Sequence, residues 1–116
     1  MEAIAVRTDL TYEVVEFTED TFLEVCQKAV GGYIEAVNLG TGLIMWVNEE
    51  GLLTDLDFNP LGSEILAQLG QRTGIRGDII FTGVADEDGN VQSIDAQDLQ
   101  DIKDTCDSVP VSKLII

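Results

Sequence analysis

Carboxylates are the reactive side chains this chain has in quantity. Asp and Glu total 22 against 6 Lys and Arg, and there is no His, which leaves a net charge of −16. The densest run is DAQDLQDIKDTCD, residues 95–107, with an aspartate at every third position: Asp95, Asp98, Asp101, Asp104 and Asp107. Without histidine, the Ser-His-Asp and Cys-His nucleophile systems and His-ligated zinc are excluded. Cys26 and Cys106 stand far apart and form no metal-binding pair. There is no G-x-x-x-x-G-K-[ST] phosphate loop.

What carboxylates do alone is bind cations or share a proton. DEDGN (residues 86–90) has the 1-3-5 spacing of a calcium loop in Asp86, Asp88 and Asn90. It then fails: Gly89 is at the fourth position instead of the sixth, and Gln97 replaces the bidentate Glu at the twelfth. Asp-Gly between strands is a hairpin signal. DLDFN (residues 55–59) echoes the spacing and fails at Pro60. Glu35, Glu49, Glu50 and Asp78 form a looser set, enough in type for an acid–base pair or a magnesium site. In so acidic a chain, chance pairs are expected as well. Arg72 and Arg76 flank Gly74, a weak anion-binding candidate; a solvated loop is the blander reading. No catalytic residue, no metal site and no cofactor is assigned.

The charge says more about partners. Nucleic acid and anionic membranes are held by Lys and Arg, so direct contact with either is disfavoured. A basic protein surface is favoured. The same charge also serves solubility or a high-salt habitat. The N-terminus lacks a basic segment followed by a long apolar run, and no segment approaches the roughly 18 apolar residues of a span. A cytoplasmic protein with free thiols is expected.

Length and patterning predict a single α+β domain over residues 1–116, with a mainly antiparallel sheet, three helices and the order ββαββ-αββα. Residues 2–7 and 11–17 read as strands. Thr18 is the expected cap of a helix whose inward stripe is Phe22, Val25, Cys26, Ala29 and Val30. Residues 52–58 are ambiguous. Asn59-Pro60 starts a second helix, with Leu61, Ile65, Leu66 and Leu69 inward. Residues 78–84 form an apolar strand and VQSI a short one. The tail, PVSKLII, packs or adds a strand.

Residues 32–47 hold the clearest hairpin. A three-residue turn at Gly40-Thr41-Gly42 sets Ala36 opposite Trp46 and Val37 opposite Met45. One face then carries Tyr33, Glu35, Val37, Leu39, Leu43, Met45 and Val47. The other carries Ile34, Ala36, Asn38, Ile44 and Trp46. Both faces are apolar enough to want cover. The hairpin is therefore expected in the centre of the sheet, with self-association through the less-covered face and Trp46 as a candidate contact.

The motifs GGYIEAV, WVNEEG and GDIIFTG, with Asn59 between the last two, resemble the domain of unknown function 3846 family, small proteins of phages, plasmids and bacteria. The matching blocks are residues 32–37, from the second glycine of the first motif, 46–51 and 77–83. The family-like positions are Tyr33, Glu35, Trp46, Asn48, Glu49, Glu50, Asn59 and Asp78. The resemblance implies no activity. Phage and plasmid proteins of this size and acidity often inhibit host factors, which is an association only.

The aspartate run completes the reading. As a helix it turns Leu99, Ile102 and Cys106 inward and Asp101, Asp104 and Asp107 outward. Asp95 suits the N-cap and Asp98 the first turn. Asp104 and Asp107 sit at the negative end of the dipole and repel at i,i+3, at roughly 0.2–0.5 kcal/mol a pair. Asp98, Asp101, Asp104, Asp107 and Trp46 are thus the candidate partner-binding residues. The expected function is non-enzymatic binding of a basic protein surface, as an inhibitor or DNA mimic of a host factor. The alternatives are a small-molecule or nucleotide-binding module and, third, a carboxylate–metal enzyme.

Overall fold

The computed structural model describes residues 1–50, 55–71 and 73–109. The ambiguous stretch 52–58 falls partly outside these, and Arg72 and the tail 110–116 wholly so. Within the described residues the order is β1 (Glu2–Val6), β2 (Tyr12–Glu16), α1 (Phe22–Val30), β3 (Ile34–Asn38), β4 (Leu43–Asn48), α2 (Pro60–Gln68), β5 (Ile79–Gly83) and α3 (Ala96–Ser108). The strands form one antiparallel sheet in the order β2-β1-β5-β4-β3. The class is α+β.

Alternation along the strands divides two cores. Ile4, Val6, Met45, Ile79 and Phe81 point to the face covered by α2 and α3, where Leu61, Ile65, Leu66, Ile102 and Cys106 meet them. Ala3, Ile80 and Trp46 point to the other face, under α1, with Phe17, Cys26 and Val30. Small side chains at Ala3 and Ala5 leave room for α1. The stripe of α1 packs as its spacing predicts. The helix itself starts three residues later than the Thr18 expectation, because Thr18 and Thr21 cap each other's backbone: Thr18 N donates to Thr21 Oγ1 at 2.8 Å and Thr21 N to Thr18 Oγ1 at 3.3 Å. Helices thus cover both sheet faces.

The hairpin register is the one a three-residue turn demands: Ala36 pairs with Trp46 and Val37 with Met45. Its expected central place is not. β5 holds the centre, being buried at every position, while β3 is an edge strand. β3 carries exposed Glu35, Ala36 and Asn38, which a central strand does not accommodate. With α1 over one face and α2 and α3 over the other, the apolar hairpin faces are core surfaces.

VQSI forms no strand. Ala85 and Val91 share one isolated bridge, and the chain then crosses β5 at Gly83. A Cβ at Gly83 would run into the Ser93 carbonyl oxygen, so glycine is what permits the crossing. At Gly62 in α2 the approach is to side chains: a Cβ there would meet the terminal methyl of Ile79 at 2.7 Å, which would have to shift. Leu69, expected inward, ends α2 and is 38% exposed.

Asn59 joins these parts. It is fully buried. Its Nδ2 donates to the carbonyls of Val6 (3.0 Å) and Gly77 (2.9 Å), and its Oδ1 accepts from Gly62 N at 2.9 Å. Asn59 N donates to Ile75 O at 2.9 Å. One side chain therefore ties the end of β1, the start of α2 and the approach to β5. Asn59→Ala would leave three buried backbone groups without that partner. It is expected to lower unfolding free energy by about 3 kcal/mol, since each orphaned group costs about 1–3 kcal/mol and the losses are not additive. Urea unfolding of the two proteins measures this.

Candidate functional site

The aspartate run is a helix, capped as its sequence suggests. Asp95 Oδ1 accepts from Gln97 N (2.9 Å) and Asp98 N (3.3 Å). Leu99 is half-buried, Ile102 and Cys106 are buried, and Asp101, Asp104 and Asp107 are exposed. Two glutamines brace the exposed acids from one turn before: Gln97 donates to Asp101 at 2.8 Å and Gln100 to Asp104 at 2.9 Å. Such i,i+4 pairs stabilise a helix by about 0.2–0.5 kcal/mol each. Asp98 is half-buried; burial, and then the charges of Asp95 and Asp101, raise its carboxyl above the ordinary value.

Asp107 has a structural task that its position in the sequence hides. Its Oδ1 accepts from the Tyr12 hydroxyl at 2.6 Å, which ties the end of α3 to β2. That hydrogen bond first, then burial and the negative charge of Asp107, push the Tyr12 phenol up to about 12.

Trp46 is not on this surface. It lies half-buried under α1, edge-on to Phe22 at 5.0 Å, and its Nε1 donates to Thr82 Oγ1 at 2.8 Å. The side chain has core and hydrogen-bond partners of its own, as expected for a buried indole.

The family-like residues meet elsewhere. Gly31 ends α1 in the left-handed conformation at φ 77°. Asn48 Nδ2 then donates to Val30 O at 3.3 Å, and its Oδ1 accepts from Glu50 N at 2.8 Å. A Cβ on Gly32 would fall 2.8 Å from Asn48 Nδ2, so the two motifs GGYIEAV and WVNEEG fit together through this contact. Beside it opens a crevice of about 720 Å³, lined by Glu24, Gln27, Lys28, Gly32, Tyr33, Asn48, Glu50 and Leu56. Tyr33 is 68% exposed. Lys28 also borders two adjoining crevices of about 410 and 210 Å³ and carries no ion pair among the described residues.

The loose carboxylate set is not assembled. Asp78 Oδ1 accepts from Thr8 N at 2.9 Å and fixes the β1–β2 turn to β5. Glu35 lies on the edge strand, and Glu49 and Glu50 follow β4. Among the described residues no three acids or cysteines are placed to share a metal ion. In DEDGN, exposed Asp86 is occupied by its own turn: Oδ1 accepts from Asp88 N and Asn90 N, and Oδ2 from Gln92 Nε2. Arg76 Nη1 donates to Leu56 O at 2.9 Å, a loop-closing contact. Burial pushes the thiols up, Cys26 to about 12 and Cys106 to about 11, the latter helped by Asp107. Neither is poised as a nucleophile.

These features belong to a small acidic α+β domain whose motifs serve its own architecture. The chain belongs to the family described as Domain of unknown function (DUF3846), whose model matches residues 1–107 and so takes in the acidic helix. No curated protein and no solved structure matches the chain significantly. Among the described residues no helix is long and apolar enough to cross a membrane.

Two measurements check this geometry. Asp104→Asn removes repulsion at the negative end of α3 and should raise stability by about 0.3 kcal/mol, whereas Asp107→Ala strands the Tyr12 hydroxyl and should lower it by about 1 kcal/mol. Tyr12, Cys26 and Cys106 all ionise less readily in the folded chain than at the ordinary values of 10.0 and 9.0. The stability they contribute is complete below those values and is lost as pH climbs toward about 11 to 12. The melting temperature should therefore decline on the alkaline side, and Tyr12→Phe should remove the tyrosine share of that decline.

Proposed function

We propose that this protein is a non-enzymatic binding protein that presents α3 to a basic protein surface. The observation that carries the reading is the outward face of α3. Five aspartates between residues 95 and 107 are accompanied by one lysine, Lys103, and none of them has an ion pair among the described residues. Asp101 and Asp104 each accept a hydrogen bond from a glutamine one turn before, which favours their outward positions. Exposed charge of one sign speeds encounter with an opposite surface. Successive aspartates rise about 4.5 Å along the helix axis, a scale similar to that of duplex phosphates. That supports inhibition of a host factor by occupying a nucleic-acid groove, as a phage- or plasmid-type protein acting in the host cytoplasm.

A second reading has one observation in its favour. The crevice beside Tyr33 is of the size that small ligands occupy. Its lining has Lys28 as the one cation among the described residues, against Glu24 and Glu50. That composition suits a neutral or cationic small molecule better than a nucleotide.

The test is capture of a partner from host lysate at low and high salt, followed by association kinetics with the captured protein. Asp101→Asn/Asp104→Asn should lower the on-rate by about threefold to tenfold and flatten its salt dependence, the signature of lost steering. An unchanged on-rate takes α3 out of the interface. Binding that is lost on substituting Tyr33 instead would move the site to the crevice.

A further inference from the structure

The sheet has two edges, and they differ. At the β2 edge, Glu13 and Glu16 are exposed, and the C-terminal end of α3 is tied alongside by the Tyr12–Asp107 hydrogen bond. At the other, β3 has β4 as its one strand partner among the described residues. The register fixes which of its backbone groups are used. Leu39 N donates to Leu43 O, and Glu49 N to Tyr33 O, each at 3.0 Å. These two hydrogen-bonded pairs bracket the ladder, and pairs alternate along it. Glu35 and Val37 therefore bond toward β4. The N–H and C=O groups of Ile34, Ala36 and Asn38 point away from the sheet. At the centre of this row stands Ala36, an exposed residue with one methyl group to obstruct approach. Charged residues guard natural edges against strand addition, and β3 offers Glu35 alone.

From this edge we infer that β3 is a docking site for an extended segment of a protein partner, added as a sixth, antiparallel or parallel, strand and carrying Lys or Arg. The charge selects this occupant. A second copy of the chain would bring −16 against −16, whereas a basic strand meets Glu35 and the field of the whole domain. Backbone pairing at Ile34, Ala36 and Asn38 would hold the strand, and side chains alternating to the two faces would set its sequence. This surface is separate from the aspartate helix and does not depend on it.

Random heptapeptides displayed on phage, selected at low salt against the full chain, supply the probe. The expected winners alternate β-branched residues with Lys or Arg. A synthetic winner should slow amide exchange at Ile34, Ala36 and Asn38 and leave Glu35 and Val37 as they were. Ala36→Pro removes an outward N–H without touching the ladder to β4, a place where edge strands tolerate proline. It should weaken the peptide by about tenfold or more, since an incoming carbonyl loses its partner and meets the ring. Should that variant fold poorly, Glu35→Lys keeps the backbone and should turn the selection away from basic peptides. Equal binding by the folded variants, protection at other residues, or winners without basic residues would overturn the proposal. So would slowed exchange of the same three amides in the concentrated protein alone, which would make the occupant a second copy.

Discussion

The fold depends on one buried amide. Asn59 has no access to water, and its side chain satisfies backbone groups of three separate segments. Asparagine is the residue that can do this, because it carries donor and acceptor on one planar group. An aspartate there would set a negative charge against two carbonyl oxygens. Once Asn59 is placed, α2 must start where it does, and glycine at position 62 lets α2 sit on Ile79 without displacing the end of that side chain. β1 and β5 are then held at their meeting point. The helical layer with α3 is built on that joint.

Local signals in the sequence were enough for part of this. Asn-Pro announces a helix start, and α2 begins there. The Gly40-Thr41-Gly42 turn fixed the hairpin register and both of its faces. The inward side of α3 followed from Leu99, Ile102 and Cys106. What the sequence did not show are the contacts that join distant segments. Asn59 reaches Val6 across 53 residues, and Asp107 reaches Tyr12 across 95. Neither partner can be picked from spacing. The place of the hairpin in the sheet failed for a related reason. Apolar character on both faces describes a strand covered on both sides, and it does not say which strands lie beside it. Exposed Glu35, Ala36 and Asn38 were the residues that marked the edge.

The family-like positions are legible in a different way. Asn59, Asn48, Gly32, Asp78 and Trp46 all have structural partners that account for them. Tyr33, Glu35 and Glu49 are exposed. The same blocks thus hold both residues that the architecture uses and residues open to solvent, and the exposed ones lie near the β3 edge and the crevice beside it.

The two thiols lie on opposite sides of the sheet, Cys26 in the layer with α1 and Cys106 in the layer with α2 and α3. Each helical layer therefore has its own built-in lock that a thiol reagent enters only when that layer lifts. The rates of modification at the two cysteines read the opening free energies of the two layers independently. Trp46, the only tryptophan, shares a layer with Cys26. Its fluorescence would report on the α1 side while Cys106 reports on the other, so the native chain carries the means to tell whether the protein opens as one cooperative unit or as two leaves of a book.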